Sequence, residues 1–422
     1  MDKIVIQGGK KLSGEVNIST AKNSVLPIIA ASILANDSVS INKLPMLEDV
    51  FTICNVMKQL GFDLNIDKNK NKLIIPPLQK QPLIPDEDLV KKMRASFLIM
   101  GPMIAKYGEF KLARPGGCNI GTRPIGLHLK GLEALGANVS KCGSGFVCVE
   151  AKKLIGNKVY LDFPSVGATE NTIMAATLAK GTTIIENAAQ EPEISDLINF
   201  LNSMGAKIYS EKPGEVIIDG VDSLSSTEYT PIYDRIEAGT FMAAASITGS
   251  EIKIKGVNKD HCSAIISKLS ESGTKFIDIK GEPDSIIVKG GDIIKPTNVN
   301  TMPYPGYPTD MQSQMMSLLS IAKGSSIITE TVFENRFMNV DELRRMGAEI
   351  QVEGRSAFIE GVDELTGCEV RATDLRAGAA LILAGLVARG KTTVTDIYHI
   401  DRGYVEIENK FKALGAEIYR EH

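Results

Sequence analysis

The sequence predicts a two-domain, inside-out α/β barrel protein: six repeats, three per domain, with apolar helices inside and sheets outside. Three observations lead there. At 422 residues the chain exceeds the size at which one hydrophobic core stops growing, so two domains are expected. A glycine-centred phrase recurs at intervals of 68 to 75 residues, as Gly61-Phe-Asp-Leu, Gly136-Ala-Asn-Val, Gly205-Ala-Lys-Ile, Gly273-Thr-Lys-Phe, Gly347-Ala-Glu-Ile and Gly415-Ala-Glu-Ile. Six helical segments are apolar on nearly every face, and helices of that kind are buried.

Each repeat reads in the same order. An amphipathic segment such as Ala264–Ser272 or Val340–Met346 precedes the phrase, so its glycine reads as a helix C-cap leading into a strand. Some 23 to 25 residues earlier lies another strand signal, as in Gly181-Thr-Thr-Ile-Ile, Gly324-Ser-Ser-Ile-Ile and Gly390-Lys-Thr-Thr-Val. An apolar helix precedes that one too. The buried helices fall at Val25–Ala35, Phe97–Ala105, Ile173–Ala179, Phe241–Ile247, Met315–Ala322 and Leu381–Ala388. One glycine after a helix means nothing; six in near-regular register are too ordered for chance.

Composition removes several function classes. The 43% hydrophobic and 23% charged contents are those of an ordinary soluble protein. A net charge of −4 gives no reason to expect a nucleic-acid or anionic-membrane partner. The stretches Val25–Ala35 and Ala377–Ala388 are too short to span a membrane, and residues 1–14 lack the apolar run of a targeting signal. Six cysteines are scattered without metal-ligand spacing, and a chain of this size needs no disulfide staples, so a reducing cytoplasm is expected, with Cys54, Cys142, Cys148, Cys262 and Cys368 as inert buried residues. Four histidines, none adjacent, make no zinc site, and there is no Walker loop or dinucleotide fingerprint; Gly8-Gly9 is weak alone. No metal and no organic cofactor are expected.

Charge is concentrated where the buried helices begin. These entrances carry Lys22-Asn23, Arg94-Ala-Ser96, Ser165-Val-Gly-Ala-Thr-Glu170, Asp234-Arg235-Ile-Glu237, Thr309-Asp310 and Asp374-Leu-Arg376. Ser, Thr and Asp there can be helix caps, and for Thr169, Thr309 and Thr373 that reading stands level with a functional one. Cations at the positive end of a helix dipole are disfavoured unless an anion lies nearby. Lys22, Arg94, Arg235 and Arg376 each match an ordinary salt bridge singly. Together they point to a cleft for a small polyanionic substrate.

Residues 114–124 read Arg-Pro-Gly-Gly-Cys-Asn-Ile-Gly-Thr-Arg-Pro, a composition that excludes a regular helix or central strand. Cys118 lies between Arg114 and Arg123, whose charges favour the thiolate. Beyond the loop, Pro124 sits at a helix start, and His128 is either a structural hydrogen-bonding residue or a ligand contact.

These strings resemble the enolpyruvyl transferase family, in the branch that uses UDP-N-acetylglucosamine, and the resemblance runs essentially from end to end. It is carried by Ser19-Thr-Ala-Lys22-Asn23-Ser, Met93-Arg94-Ala-Ser96, Pro115-Gly-Gly-Cys118-Asn-Ile-Gly-Thr-Arg123-Pro, Ser165-Val-Gly-Ala-Thr169, Tyr307-Pro-Thr-Asp310-Met-Gln, Phe333-Glu-Asn-Arg336-Phe-Met, Ala372-Thr-Asp374-Leu-Arg376-Ala and Asp401-Arg402-Gly-Tyr404. Asp162-Phe-Pro before Ser165 and Arg114 before Pro115 depart from many members, as subgroup differences that touch the uridine contacts.

The resemblance implies transfer of the enolpyruvyl group of phosphoenolpyruvate to the sugar 3-hydroxyl, with release of phosphate through a tetrahedral ketal, opening peptidoglycan precursor synthesis. Lys22, Asn23, Arg94, Arg123 and Arg402 are the implied phosphoenolpyruvate contacts. Asn23, Arg94, Arg123, Pro124, Ile125, Gly126, Leu127, Ser165, Val166, Gly167, Asp310, Val332 and Arg336 are the implied nucleotide-sugar contacts. Cys118, Asp310 and Lys22 are implied as catalytic, Asp310 taking the hydroxyl proton. Cys118 is also the implied point of attack by fosfomycin; its duty as acid, covalent partner or aid to product release stays open. Asp374, Leu375 and Arg376 are implied in loop closure. The implied domains are 22–231, and 1–21 with 232–422, with the active site in the cleft between them and a monomeric chain. The sister enzyme acting on shikimate 3-phosphate is the nearest rival, and a non-catalytic paralogue that binds the nucleotide sugar is another; the Cys118 and Asp310 strings argue against the first, and intact Lys22, Cys118, Asp310 and Arg402 against the second.

Overall fold

A computed structural model describes residues 2–78, 94–113, 125–141 and 146–422. The chain forms two compact units, one from Met1–Ser19 and Tyr233–His422, the other from Thr20–Gly117 and Arg123–Ile232. Each unit holds three sheets, all four-stranded but one.

The sheets share one plan, and the sheet on Glu251–Lys255 shows it. That strand follows the buried helix Arg235–Ile247 and alternates inward Ile252 and Ile254 with polar residues. It pairs antiparallel with Ser285–Lys289, which pairs antiparallel with Lys275–Asp278, the strand after Gly273. Glu15–Asn17 adds in parallel at the other edge. The same order recurs around Val39–Ile41, Thr182–Glu186, Ser325–Thr329 and Lys391–Thr395, and around Glu109–Ala113 with no parallel edge strand among the described residues. In the sheet on Lys391–Thr395 the second strand is Lys3–Gln7, from the other end of the sequence. None of the sheets closes; the barrel of the sequence reading is an array of separate open sheets.

The helices are buried as their composition requires. They run Lys22–Ala31, Met100–Tyr107, Val166–Ala176, Arg235–Ile247, Gln312–Leu319 and Leu375–Val387. Every residue of Arg235–Ile247 and Gln312–Leu319 is buried. Most begin earlier than the apolar stretches suggest, so the charged entrances form their first turns or the short 3₁₀ turns, Arg94–Ile99 and Thr309–Met311, that lead into them.

Two series of glycines set the geometry. Gly61, Gly136, Gly205, Gly273, Gly347 and Gly415 all have φ between 90° and 105°, a left-handed conformation that ends a helix and starts a strand. A second series was not read from the sequence. Gly8, Gly220, Gly290 and Gly361 each follow the second strand of a sheet, at the place where it meets the C-terminal end of a buried helix. A Cβ there would lie 2.0 Å from Ala388 O, 1.6 Å from Ala179 O, 2.4 Å from Ala245 O and 1.7 Å from Ala322 O respectively. Gly8 is therefore a packing residue of the fold.

Among the described residues the chain leaves one unit for the other after Ser19 and after Ile232, and the strands of chain on each side of these points are hydrogen-bonded to each other. Ala21 N donates to Ile232 O at 2.7 Å, and Asp234 N donates to Ser19 O at 2.9 Å. A buried carboxylate secures each end. Glu237 accepts from Ser19 N at 2.7 Å and from Lys410 Nζ at 2.5 Å. Asp196 accepts from the Ser24 hydroxyl, from Tyr229 Oη at 2.6 Å and from Ile232 N at 3.1 Å.

The cysteines need a correction. Cys54 and Cys262 are buried and free, and burial pushes the Cys54 thiol up to about 12. Cys148, expected as an inert thiol, is disulfide-bonded. A single residue in a strand shows nothing of where another thiol lies. Among the described residues no helix is long and apolar enough to cross a membrane.

The two glycine series differ in what substitution does. Gly205→Ala meets only backbone strain, since nothing lies within 4 Å of the added Cβ, and should cost about 1 kcal/mol. Gly220→Ala drives a carbon into Ala179 O and should cost about 3 kcal/mol or more. Urea unfolding of the two variants checks the ranking.

Candidate active site

In the unit holding the C-terminus, the site grows from Asp310. Its short turn, Thr309–Met311, leads into the helix Gln312–Leu319, so the carboxylate stands at the positive end of a helix dipole. Two arginines clasp it. Arg336 Nη2 donates to Oδ1 at 2.9 Å, and Arg376 Nη2 donates to Oδ2 at 2.9 Å. Both guanidinium groups are almost fully buried, while Asp310 keeps 26% of its side chain exposed. Arg336 Nε and Arg376 Nη1 have no partner among the described residues, so the cluster retains donors for an oxygen-rich ligand. Burial works against the charge on Arg376, but Asp310, Tyr404 and Asp234 outweigh it and raise the pKa. The guanidinium stays charged.

Asp374 caps the helix Leu375–Val387, accepting from Arg376 N at 2.8 Å and Ala377 N at 3.0 Å. That cap fixes where Arg376 starts. Arg402 ends the short helix Tyr398–Asp401, and the absence of a side chain at Gly403 lets Leu375 pack against that point. Beside it, His399 is held below its usual pKa by burial and then by Arg402. Val332 N donates to Glu330 at 2.8 Å, at the start of the segment that leads to Arg336. The structure thus gathers Asp310, Arg336, Asp374 and Arg376 directly, with Leu375 and Arg402 alongside.

In the other unit Lys22 opens the helix Lys22–Ala31 and is bound to Asp49 Oδ2 at 2.6 Å, with both side chains nearly buried. The anion that the helix dipole requires is here the protein's own carboxylate, as Asp310 is for Arg376. This is a buried ion pair, where the sequence offered only a ligand or an ordinary salt bridge. Asn23 follows Lys22, and Ser24 leads to Asp196. Ile125, Gly126 and Leu127 enter the helix Gly126–Ala134, and Ser165, Val166 and Gly167 enter Val166–Ala176. These two entrances touch: a Cβ on Gly167 would sit 3.0 Å from the His128 ring. His128 is a structural residue, buried, edge-on to Phe97 and hydrogen-bonded with Asn171 at 3.3 Å. Glu170 is buried, and burial, then the charges of Glu193 and Glu191, push its pKa well up.

Several cap assignments change. Ser165, Asp234 and Asp374 are the caps. Thr169 instead accepts from Ala189 N at 3.0 Å, Thr309 donates to Glu330 at 2.8 Å, and the buried Thr373 hydroxyl has no partner among the described residues. Arg235 lies 5.7 Å over the Tyr304 ring. Cys118, Arg123 and Pro124 lie outside the described residues, and Arg94 is described in its backbone alone.

Comparison with known proteins identifies the architecture. Residues 6–411 match the family model for EPSP synthase (3-phosphoshikimate 1-carboxyvinyltransferase). Over 420 residues and the full length of both chains, the protein is 83% identical to UDP-N-acetylglucosamine 1-carboxyvinyltransferase 1 of Clostridium perfringens. It is 62% identical, again over full length, to UDP-N-acetylglucosamine 1-carboxyvinyltransferase 2 of Clostridium tetani. Among solved structures, the enolpyruvyl transferase NikO from Streptomyces tendae superposes with a TM-score of 0.89 at 24% identity, covering 99% of this chain and 98% of that one. EPSP synthase from Acinetobacter baumannii superposes at 0.76 with 18% identity and full coverage of both chains, a likeness of fold alone. Six helix-and-sheet repeats, charged helix entrances and full-length identity converge: the chain belongs to the enolpyruvyl transferase family, among the UDP-N-acetylglucosamine 1-carboxyvinyltransferases.

Proposed function

We propose that the protein transfers the enolpyruvyl group of phosphoenolpyruvate to the 3-hydroxyl of UDP-N-acetylglucosamine, releasing phosphate, as the first committed step of peptidoglycan precursor synthesis. The observation that carries the reading is Asp310, clasped by Arg336 and Arg376 at a helix entrance, in a chain whose full-length relatives bear the name of this reaction.

The chemistry asks for a base at the hydroxyl, cationic character at C2 and charge neutralisation at the phosphate. Asp310 supplies the base. Two arginines fix its direction, so that it can be held within reach of the hydroxyl proton. Arg376 and Arg336 also stabilise charge that moves off the sugar oxygen. Lys22, Asn23, Arg94, Arg123 and Arg402 hold phosphoenolpyruvate, their cations polarising C2 and balancing phosphate. As the hydroxyl attacks C2, its proton passes to Asp310 and C3 gains a proton, giving a tetrahedral ketal. Loss of a C3 proton with phosphate then forms the enol ether.

Ile125, Gly126, Leu127, Ser165, Val166, Gly167 and Val332 contact the nucleotide sugar in this reading, with Pro124. Residues of both units serve the one reaction. Cys118 serves as the acid that protonates C3, as the covalent partner of phosphoenolpyruvate or as an aid to product release, and is the group that fosfomycin alkylates; Asp374, Leu375 and Arg376 act in closing the cysteine loop. A cytoplasmic, monomeric enzyme that takes part in cell-wall growth and division completes the proposal.

A phosphate-release assay tests it. Turnover is expected with phosphoenolpyruvate plus UDP-N-acetylglucosamine; release with shikimate 3-phosphate alone as acceptor would overturn the assignment. In the same assay Cys118→Asp, an alternative proton donor, should retain more activity than Cys118→Ala, and equal rates for both and the parent would remove Cys118 from the mechanism.

Lys22 has two roles that can be separated. Lys22→Ala removes the lysine's charge from beside the buried Asp49 carboxylate, which should cost about 3 kcal/mol of stability. Adding Asp49→Asn should restore most of that stability in thermal unfolding while turnover stays lost. Recovery of turnover in the double variant would assign Lys22 a structural role alone.

A further inference from the structure

We propose that Glu330 is a positioning residue on the nucleotide-sugar side of the reaction, spanning from the Asp310 turn to the Val332–Arg336 segment and fixing the distance between them. The inference rests on the reading of Asp310 and Arg336 as substrate-facing groups. Glu330 follows the strand Ser325–Thr329 and is 1% exposed. Its Oε1 accepts from Thr301 Oγ1 at 2.8 Å, from Val332 N at 2.8 Å and from Phe333 N at 3.1 Å. Its Oε2 accepts from Thr309 Oγ1 at 2.8 Å.

Burying a carboxylate is costly unless donors meet it, and here four do, from three separate segments of chain. That arrangement exceeds what a local turn needs. Thr309 is the residue before Asp310, and Val332–Phe333 lead to Arg336, which binds Asp310 at 2.9 Å. Glu330 therefore closes a circuit: through Thr309 to Asp310, across to Arg336, and back through Phe333. With Oε1 taken by the turn and Oε2 by Thr309, the length of the side chain sets the separation.

Length and charge make opposite demands on substitutions. Glu330→Gln keeps the length; its amide oxygen can serve the turn, and its amide group can donate to a reoriented Thr309 hydroxyl. Glu330→Asp keeps the charge but is one carbon too short to reach both sides. Glu330→Asp should therefore raise KM for the nucleotide sugar about tenfold, with KM for phosphoenolpyruvate unchanged within about twofold. Glu330→Gln should stay close to the parent. Thr309→Val, which cuts the same span from its other end, should reproduce the Glu330→Asp effect, and combining the two should add little.

Steady-state kinetics in both substrates, with thermal unfolding of each variant, decide the matter. Glu330→Asp outperforming Glu330→Gln, multiplicative effects of Thr309→Val and Glu330→Asp, or loss of folded protein with unchanged KM values would each overturn the proposal. If Glu330→Asp does not fold, Thr309→Val alone carries the KM comparison. Asp310→Asn separates the two readings: full turnover in that variant defeats Asp310 as base, and the nucleotide-sugar KM of Glu330→Asp still reports on positioning.

Discussion

A buried helix has to begin somewhere, and its first turn brings partial positive charge and unsatisfied N–H groups with it. In this protein six such beginnings must be accommodated, and the rest of the structure follows from how that is done. Ser165, Asp234 and Asp374 answer with caps. Asp310 answers with a carboxylate that also binds two arginines. Lys22 adds positive charge to a positive end and is tolerated because Asp49 lies against it. Sites where charge is already managed in a low-dielectric setting are good places to bind charged substrates, because the groups need little rearrangement.

The same constraint explains why the charged groups come in pairs and circuits. An unpaired guanidinium at 2% exposure would be expensive, and Arg336 and Arg376 share one carboxylate. Glu330 has no cation at its oxygens among the hydrogen bonds described, and four neutral donors meet it instead. Each solution holds a side chain in one rotamer, and that rigidity directs Asp310.

Much of the fold was legible because two of its rules are local. Left-handed φ at Gly61, Gly136, Gly205, Gly273, Gly347 and Gly415 is written in the residue type, and so is burial in a helix such as Phe241–Ile247. Gly8, Gly220, Gly290 and Gly361 were silent because the carbonyl that demands each glycine belongs to a helix elsewhere in the chain. The site divides the same way. The entrance charges could be read directly, and family resemblance assigned them roles. Asp49 as the partner of Lys22 and Glu330 as the partner of Thr309 depend on pairings across distance in sequence, which no local pattern encodes.

The placement of Lys3–Gln7 has a consequence for how the chain is made. This strand lies between Lys391–Thr395 and Glu417–Glu421, so it sits in the middle of a sheet whose two flanking strands are synthesised long after it. Residues 20–232 can gather their own three sheets while synthesis continues. Lys3–Gln7 must wait with both edges unpaired until Lys391–Thr395 is made, and with one edge still open until Glu417–Glu421 follows. Loss of a few C-terminal residues would leave the same strand with an open edge in the finished protein, turning a truncation at one end into an aggregation hazard at the other.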